Sequence, residues 1–118
     1  MSVDELRNLV TDALDDLKGR NLRCLDVRAL TDMVDYMIIV NGTSNRHVRA
    51  LVNSVIGRCK QNSIKPLGVE GERPGDWVLI DLTDLVVHVM LPSAREFYDL
   101  ERLWSNFDSK DRQTELQT

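Results

Sequence analysis

The residues best suited to chemistry lie in a short glycine turn, between a run of apolar residues and a helical pattern. The run YMIIV at residues 36–40 leads into NGTSN, and the helical pattern that follows carries Arg46 and Arg49. A glycine turn at a helix N-terminus exposes backbone amides and the positive end of the helix dipole, which favour a phosphate. The turn therefore predicts a phosphate or RNA contact at Ser44, Arg46 and Arg49. The alternative is a structural turn, because glycine there is often required only by backbone geometry.

The groups that would turn a bound phosphate into a substrate are missing around this turn. A nucleotidyltransferase needs paired carboxylates to hold magnesium against the nucleotide, and residues 43–69 contain no acid. Asp81 and Asp84 fall on a strand and its turn, so their side chains would point in different directions. His47 and His88 belong to no recognisable nucleophile or zinc motif. We therefore predict no catalytic residue, no metal and no cofactor, with a degenerate nucleotidyltransferase-like nucleotide-binding protein as the alternative function.

Helical and strand patterns place this turn within an α/β domain. Ser2 and Glu5 predict a capping box for a first helix that ends at Gly19. The order of predicted elements is α, β, β, α, β-hairpin, α, which favours a single domain with a mixed β-sheet flanked by helices. After the first helix, strands are predicted at residues 22–30 and 36–40, followed by a helix that is capped by Ser44 or Asn45 and has apolar positions at 48–59. Residues 62–76 are predicted to be mostly loop, with a short strand near 67–70, and strands follow at 77–82 and 85–91. The last predicted element is a helix capped by Ser93 and Glu96 that carries Phe97, Leu100, Leu103 and Trp104.

The composition indicates one globular domain with an uneven distribution of charge. The chain has 118 residues and a net charge of −4, which argues against a protein that coats nucleic acid by bulk attraction. Residues 43–69 carry five bases and no acid, whereas residues 70–118 hold eleven acids against five bases. Two cysteines without a C-x-x-C pairing fit a reduced cytosolic protein, and no apolar run is long enough for a membrane span. We predict a cytoplasmic domain at residues 1–104 and a disordered tail at 105–118, which is poor in apolar side chains.

The hairpin at residues 77–91 has two faces of different character. A two-residue turn at Thr83–Asp84 would fix its register and therefore which side chains share a face. The first face pairs Leu82 with Leu85, Ile80 with Val87 and Val78 with Val89, and the second pairs Trp77 with Met90, Leu79 with His88 and Asp81 with Val86. The first face is entirely aliphatic and is predicted to be core. The second face is either covered by a helix or forms a partner surface, which Tyr98 and Trp104 would extend.

Four blocks of sequence together resemble the ribosome silencing factor family, also called the Iojap family. They are GTSNRHVRAL at 42–51, PLGVEG at 66–71, DWVLIDLTDLVVHV at 76–89 and REFYDLERLW at 95–104. The resemblance implies a nucleotidyltransferase-like α/β fold without the catalytic carboxylates. It also implies a translational repressor, not an enzyme, that binds the large ribosomal subunit through its fourteenth protein. Such a protein sterically blocks joining of the small subunit and slows translation when nutrients are limiting.

The resemblance further implies which residues meet the partner. In this sequence they are Trp77 and Tyr98 as apolar anchors, Leu82, Asp84 and Leu100 at the edge of the patch, His88 on the strand pair, and Asp99 and Glu101 as acidic groups facing a basic ribosomal protein. The hairpin register turns Leu82 inward, so its place in the patch conflicts with that register. Two further interpretations stay open, a minor ribosomal RNA contact through the basic helix and a homodimer seam on the apolar hairpin face.

Overall fold

The computed structural model describes residues 1–102 as a three-helix, five-stranded α/β domain. Leu103, Trp104 and the predicted disordered tail at 105–118 lie outside the described residues. The elements in chain order are α1 (Val3–Asp16), β1 (Arg20–Asp26), β2 (Tyr36–Asn41), α2 (Asn45–Gln61), β3 (Gly68–Glu70), β4 (Trp77–Asp81), β5 (Leu85–Met90) and α3 (Pro92–Tyr98). This order confirms the predicted succession of helices and strands.

The sheet is mixed, as the sequence predicts. Its strand order is β1-β2-β5-β4-β3, with β2 and β5 parallel and every other neighbouring pair antiparallel. A parallel pair needs a long crossover, and the chain between β2 and β5 supplies it with α2 and the β3–β4 hairpin. Every residue of β2 is buried, because both faces of this central strand are covered.

The predicted register of the β4–β5 hairpin is confirmed. Val78 pairs with Val89 and Ile80 with Val87, and on the other face Trp77 pairs with Met90. The backbone amide of Leu82 donates to the carbonyl of Leu85 across the turn, at 2.9 Å. The side chains of residues 78, 80, 82, 85, 87 and 89 consequently all point to the face that α1 and α2 cover, where they are buried in the main core.

A second, smaller apolar cluster lies on the opposite face of the sheet. Its buried members are Val27, Met37, Ile39, Met90 and Ala94, and Leu25, Val34, Trp77 and Leu100 pack against them. The second face of the hairpin, for which the sequence allowed either a covering helix or a partner surface, is therefore partly covered and partly open. One turn of α3 covers its Met90 end through Ala94, and beside this cover Trp77 is only half-buried.

Two predicted boundaries are wrong for local reasons. β1 ends at Asp26, not at residue 30, because the Asp26 carboxylate accepts the backbone amide and guanidinium of Arg28 and turns the chain. The predicted capping box of Ser93 and Glu96 is absent. Pro92 occupies the first helical position instead, which its fixed φ suits, so α3 begins two residues earlier, with Leu91 and not Ser93 as its N-cap.

Candidate functional site

Four aromatic rings form a connected group at the Met90 end of the hairpin, which we call the aromatic cluster: Trp77, His88, Phe97 and Tyr98. The ring centroids of Trp77 and Tyr98 are 4.6 Å apart, and those of Phe97 and Tyr98 are 5.0 Å apart in an edge-to-face arrangement. Such contacts between rings are within the range of favourable aromatic pairs. Phe97 is 80% exposed and Tyr98 is 52% exposed. The cluster is therefore an organised apolar surface and not a row of free side chains.

Trp77 is held in place from beneath by His88. The indole Nε1 donates to His88 Nδ1 at 2.9 Å, so this nitrogen is the acceptor and the ring proton belongs on Nε2. Burial lowers the pKa of His88 to about 4, because the imidazolium would lose its hydration inside the sheet. His88 is thus neutral at physiological pH. It supports the surface and, being 7% exposed, offers a partner almost no area of its own.

Arg95 fixes α3, and with it Phe97 and Tyr98, to the edge of the sheet. Its guanidinium makes a bidentate pair with Glu101, with distances of 2.7 and 2.9 Å. The same group donates to the carbonyl of Asn21 at 2.6 Å and to the side-chain oxygen of Asn41 at 3.0 Å. Its side chain is only 11% exposed. Paired and hydrogen-bonded on all sides, this buried charge specifies one orientation for α3.

The acidic residues expected to face a partner have different roles. Glu101 is bound by Arg95 and by Arg23, and the hydrogen bond from Arg95 lowers the pKa of its carboxyl. Its charge is therefore largely used within the domain. Asp99 follows Tyr98, its side chain is 47% exposed, and the guanidinium of Arg102 lies 3.9 Å from its carboxylate. It adopts the left-handed conformation, at φ 51°, where it ends α3, and residues 100–102 are helical again.

Leu82 and Asp84 do not lie beside the aromatic cluster. Leu82 is 5% exposed and belongs to the main core, so the expectation that it borders the exposed patch is wrong. Asp84 is exposed in the turn at the opposite end of the hairpin from Trp77. At about 3.4 Å per strand residue, the two are separated by roughly 20 Å. Leu100 is half-buried and packs on the second apolar cluster, as Trp77 does.

The glycine turn is largely occupied by its own side chains. The hydroxyl of Ser44 accepts the amide of His47 at 3.1 Å, capping α2, and His47 Nδ1 accepts the amide of Thr43 at 2.9 Å. The other ring nitrogen of His47 lies 2.7 Å from the carbonyl of Leu17. These interactions use two amides and the hydroxyl that a phosphate would need. They favour the structural interpretation of the turn and leave Arg46 and Arg49 as its exposed cations.

Gly42 is required by close packing. A Cβ built at this position would lie 2.7 Å from Val48 Cγ2 and 2.9 Å from the Val48 amide nitrogen. Gly42→Ala should therefore lower the free energy of unfolding by about 1–3 kcal/mol, as overpacking does. Gly57 is the matched control, because nothing lies within 4 Å of a Cβ there. Gly57→Ala should instead stabilise α2 by about 0.5–1 kcal/mol. Chemical denaturation measures both, and equal effects would contradict the packing argument.

Two further observations concern residues 1–102. No group of three or more His, Cys, Asp and Glu side chains among them is arranged to hold a metal ion. Nor does this part of the chain contain a helix whose length and apolar character would let it cross a membrane.

Phe97 is the site residue that the sequence argument missed. The sequence prediction listed it with Leu100, Leu103 and Trp104 as an apolar residue of the last helix and did not include it among the partner-binding residues. The helix ends at Tyr98, however, and the left-handed residue Asp99 changes the direction of the chain. A Phe–Tyr pair just before an Asp in a short helix after proline was the available signal, because Asp tolerates the left-handed conformation.

Comparison with known proteins gives a consistent match. Residues 1–118 match the family described as "Ribosomal silencing factor during starvation". A Chromobacterium violaceum protein named as a ribosomal silencing factor is 45% identical over 104 residues, which cover 88% of this chain and 85% of the relative. Another from Haemophilus influenzae is 40% identical over 100 residues, covering 85% of this chain and 98% of the relative.

Other similarities extend to a solved structure and to a mitochondrial protein. The crystal structure of a Chromobacterium violaceum protein superposes with a TM-score of 0.87 at 45% identity, covering 89% of this chain and 88% of the other. A mouse protein named "Mitochondrial assembly of ribosomal large subunit protein 1" is 30% identical over 116 residues, which are 94% of this chain and 51% of the mouse protein.

Proposed function

Because this chain belongs to the ribosomal silencing factor family, we propose that it represses translation by occupying the large ribosomal subunit and preventing the small subunit from joining. The family description supports action during starvation. The name of the mouse relative supports the large subunit as the partner. On this proposal the contact is with the fourteenth protein of that subunit, on the face that meets the small subunit. The protein would act in the cytoplasm, wherever subunits join.

The observation that carries this proposal is the exposed aromatic cluster on a rigid base. Tyr and Trp are the residues that most often dominate binding energy at protein interfaces. Here Trp77 is fixed by His88, and the ring of Tyr98 packs against Trp77 at a tilt of 45°. Preformed anchors lose little conformational entropy on binding. A protein that inhibits by occupying a surface needs such anchors and does not need a reaction centre.

The charge near the cluster fits a basic protein partner. The side chain of Asp99, next to Tyr98 in the chain, is 47% exposed, and the sequence from residue 70 onward is rich in acids. Charges at the rim of an interface mainly increase the association rate and fix the register. Asp99 takes this role in our proposal, whereas Glu101 acts indirectly, by holding Arg95 and α3 in place.

Co-sedimentation with purified ribosomal subunits tests the proposal. The protein should bind large subunits saturably and small subunits only weakly. In a joining assay that contains both subunits, added protein should reduce the fraction of joined ribosomes in proportion to its occupancy of the large subunit. Binding to large subunits without any effect on joining would contradict the steric mechanism, and a lack of binding would contradict the proposed partner.

A further inference from the structure

The exposed cations at the start of α2 lie at the same end of the domain as the aromatic cluster. Asn45 Nδ2 donates to the carbonyl of Pro74 at 3.2 Å. A Cβ built on Gly75 would lie 3.2 Å from the guanidinium of Arg49. The first turns of α2 are thus in contact with the loop that leads directly into Trp77. Arg49 therefore lies against the loop that joins the α2 side of the sheet to Trp77 on the opposite face.

Arg46 and Arg49 carry charges that the domain does not neutralise. Both side chains are exposed, and within residues 1–102 no carboxylate lies within 4.0 Å of either guanidinium. Arg58, farther along the same helix, is paired with Asp16 instead. Glu72 and Asp76 are exposed in the neighbouring loop but form no ion pair with the two arginines. The two guanidinium groups are consequently available to an anion.

We propose that Arg46 and Arg49 bind backbone phosphates of ribosomal RNA next to the protein surface on which the aromatic cluster docks. The inference rests on the proposed function and adds a second partner to it. The acidic rim at Asp99 suits a basic protein, which would repel the two arginines. An anion beside that basic protein would offset this repulsion, and in a ribosomal subunit the abundant anion is RNA.

The contact should be to phosphates and not to bases. Residues 43–69 contain no Phe, Tyr or Trp on which a base could stack. Arginine forks match phosphate oxygens in a bidentate manner. Two such contacts release about two condensed counterions. They should therefore steepen the plot of log affinity for the large subunit against log salt concentration by roughly 1.4–1.8. The aromatic contacts alone would leave a shallow slope.

The test compares the double variant Arg46→Glu/Arg49→Glu with Lys60→Glu/Lys65→Glu on purified large subunits. The second variant makes the same change of charge, and Lys60 lies about 21 Å from Arg46 along α2. Between 50 and 200 mM salt, wild-type affinity should fall about tenfold more than that of the arginine variant. The lysine variant should retain the wild-type slope. Equal slopes in wild type and arginine variant, or an equal change in both variants, would overturn the proposal.

Hydroxyl-radical footprinting of the large-subunit RNA identifies the anion. At saturating protein, wild type should protect a short backbone segment, and the arginine variant should lose this protection while it stays bound through the aromatic cluster. Loss of the salt dependence without any protected RNA would assign the contact to an acidic protein surface and overturn the RNA proposal. Failure of wild type itself to bind large subunits would instead contradict the proposed function, so the two failures are distinguishable.

Discussion

Replacing Phe97 and Tyr98 together with alanine should weaken binding to large ribosomal subunits by about 100-fold and leave the fold intact. Truncating an interface hot spot costs about 2 kcal/mol or more, and each 1.4 kcal/mol corresponds to about tenfold in affinity. Both side chains are more exposed than buried, so their loss removes little of the core. Trp77→Ala is less informative, because Trp77 also packs on the second apolar cluster and its change would affect stability.

Met33→Ala provides the matched control for this experiment. Met33 is 85% exposed and precedes β2, at the opposite end of the sheet from Trp77. Its truncation should leave subunit binding unchanged, within about twofold. Light scattering on each variant would show whether a second copy of the chain covers the cluster, the homodimer that the sequence also allows. If the double variant binds as tightly as Met33→Ala, the aromatic cluster is not the docking surface.

Lowering the pH from 7 to 5 should cost the native state about 2 kcal/mol through His88 alone. Its ordinary pKa is 6.5, and burial lowers the folded-state value to about 4. The folded state therefore holds this proton less tightly than the unfolded state does. The resulting loss of stability begins as the pH falls below 6.5 and is complete near 4. Protonation would also place a hydrogen on Nδ1, the atom that accepts the hydrogen bond from the indole N–H of Trp77, and would break that bond.

His88→Gln isolates this effect from the titration of the carboxylates. Its amide does not titrate, and its oxygen is a suitable acceptor for the Trp77 N–H. Urea unfolding at a series of pH values should show that wild type loses about 2 kcal/mol more than the variant between pH 7 and 5. Parallel stability curves would show that His88 is not buried as a neutral group. Because the folded-state pKa of His88 is about 4, the fluorescence of Trp77 in the native protein should shift only as the pH approaches 4, and in wild type only.

The hairpin is the part of the fold that the sequence predicts most completely. An aliphatic face with period two and a tight turn at Thr83–Asp84 leave only one register that buries residues 78, 80, 87 and 89. The same reasoning places Trp77 on the other face. Continuous apolar residues likewise identify β2 as the central strand. These predictions succeed because the order of apolar residues within a single strand determines which of its faces is buried.

The details of the site could not be predicted, because they depend on contacts between distant segments. Glu101 has the composition of an exposed acidic residue, yet Arg95 and Arg23 hold it. Nothing local to Arg95 shows that it reaches Asn21 and Asn41. The amides of the glycine turn are occupied because His47 folds back on Thr43. Each of these outcomes depends on how elements far apart in sequence pack, which periodicity does not encode.

The parallel pairing of β2 with β5 has a consequence for synthesis of the chain. Its first pair joins Tyr36 to Leu85, so the centre of the sheet closes only after most of the domain has been made. Contacts of such sequence separation slow folding, because loop-closure entropy is lost before the contacts form. Domains fold during synthesis as their segments emerge. A nascent copy of this protein would therefore present no completed aromatic cluster until β5 and α3 are free.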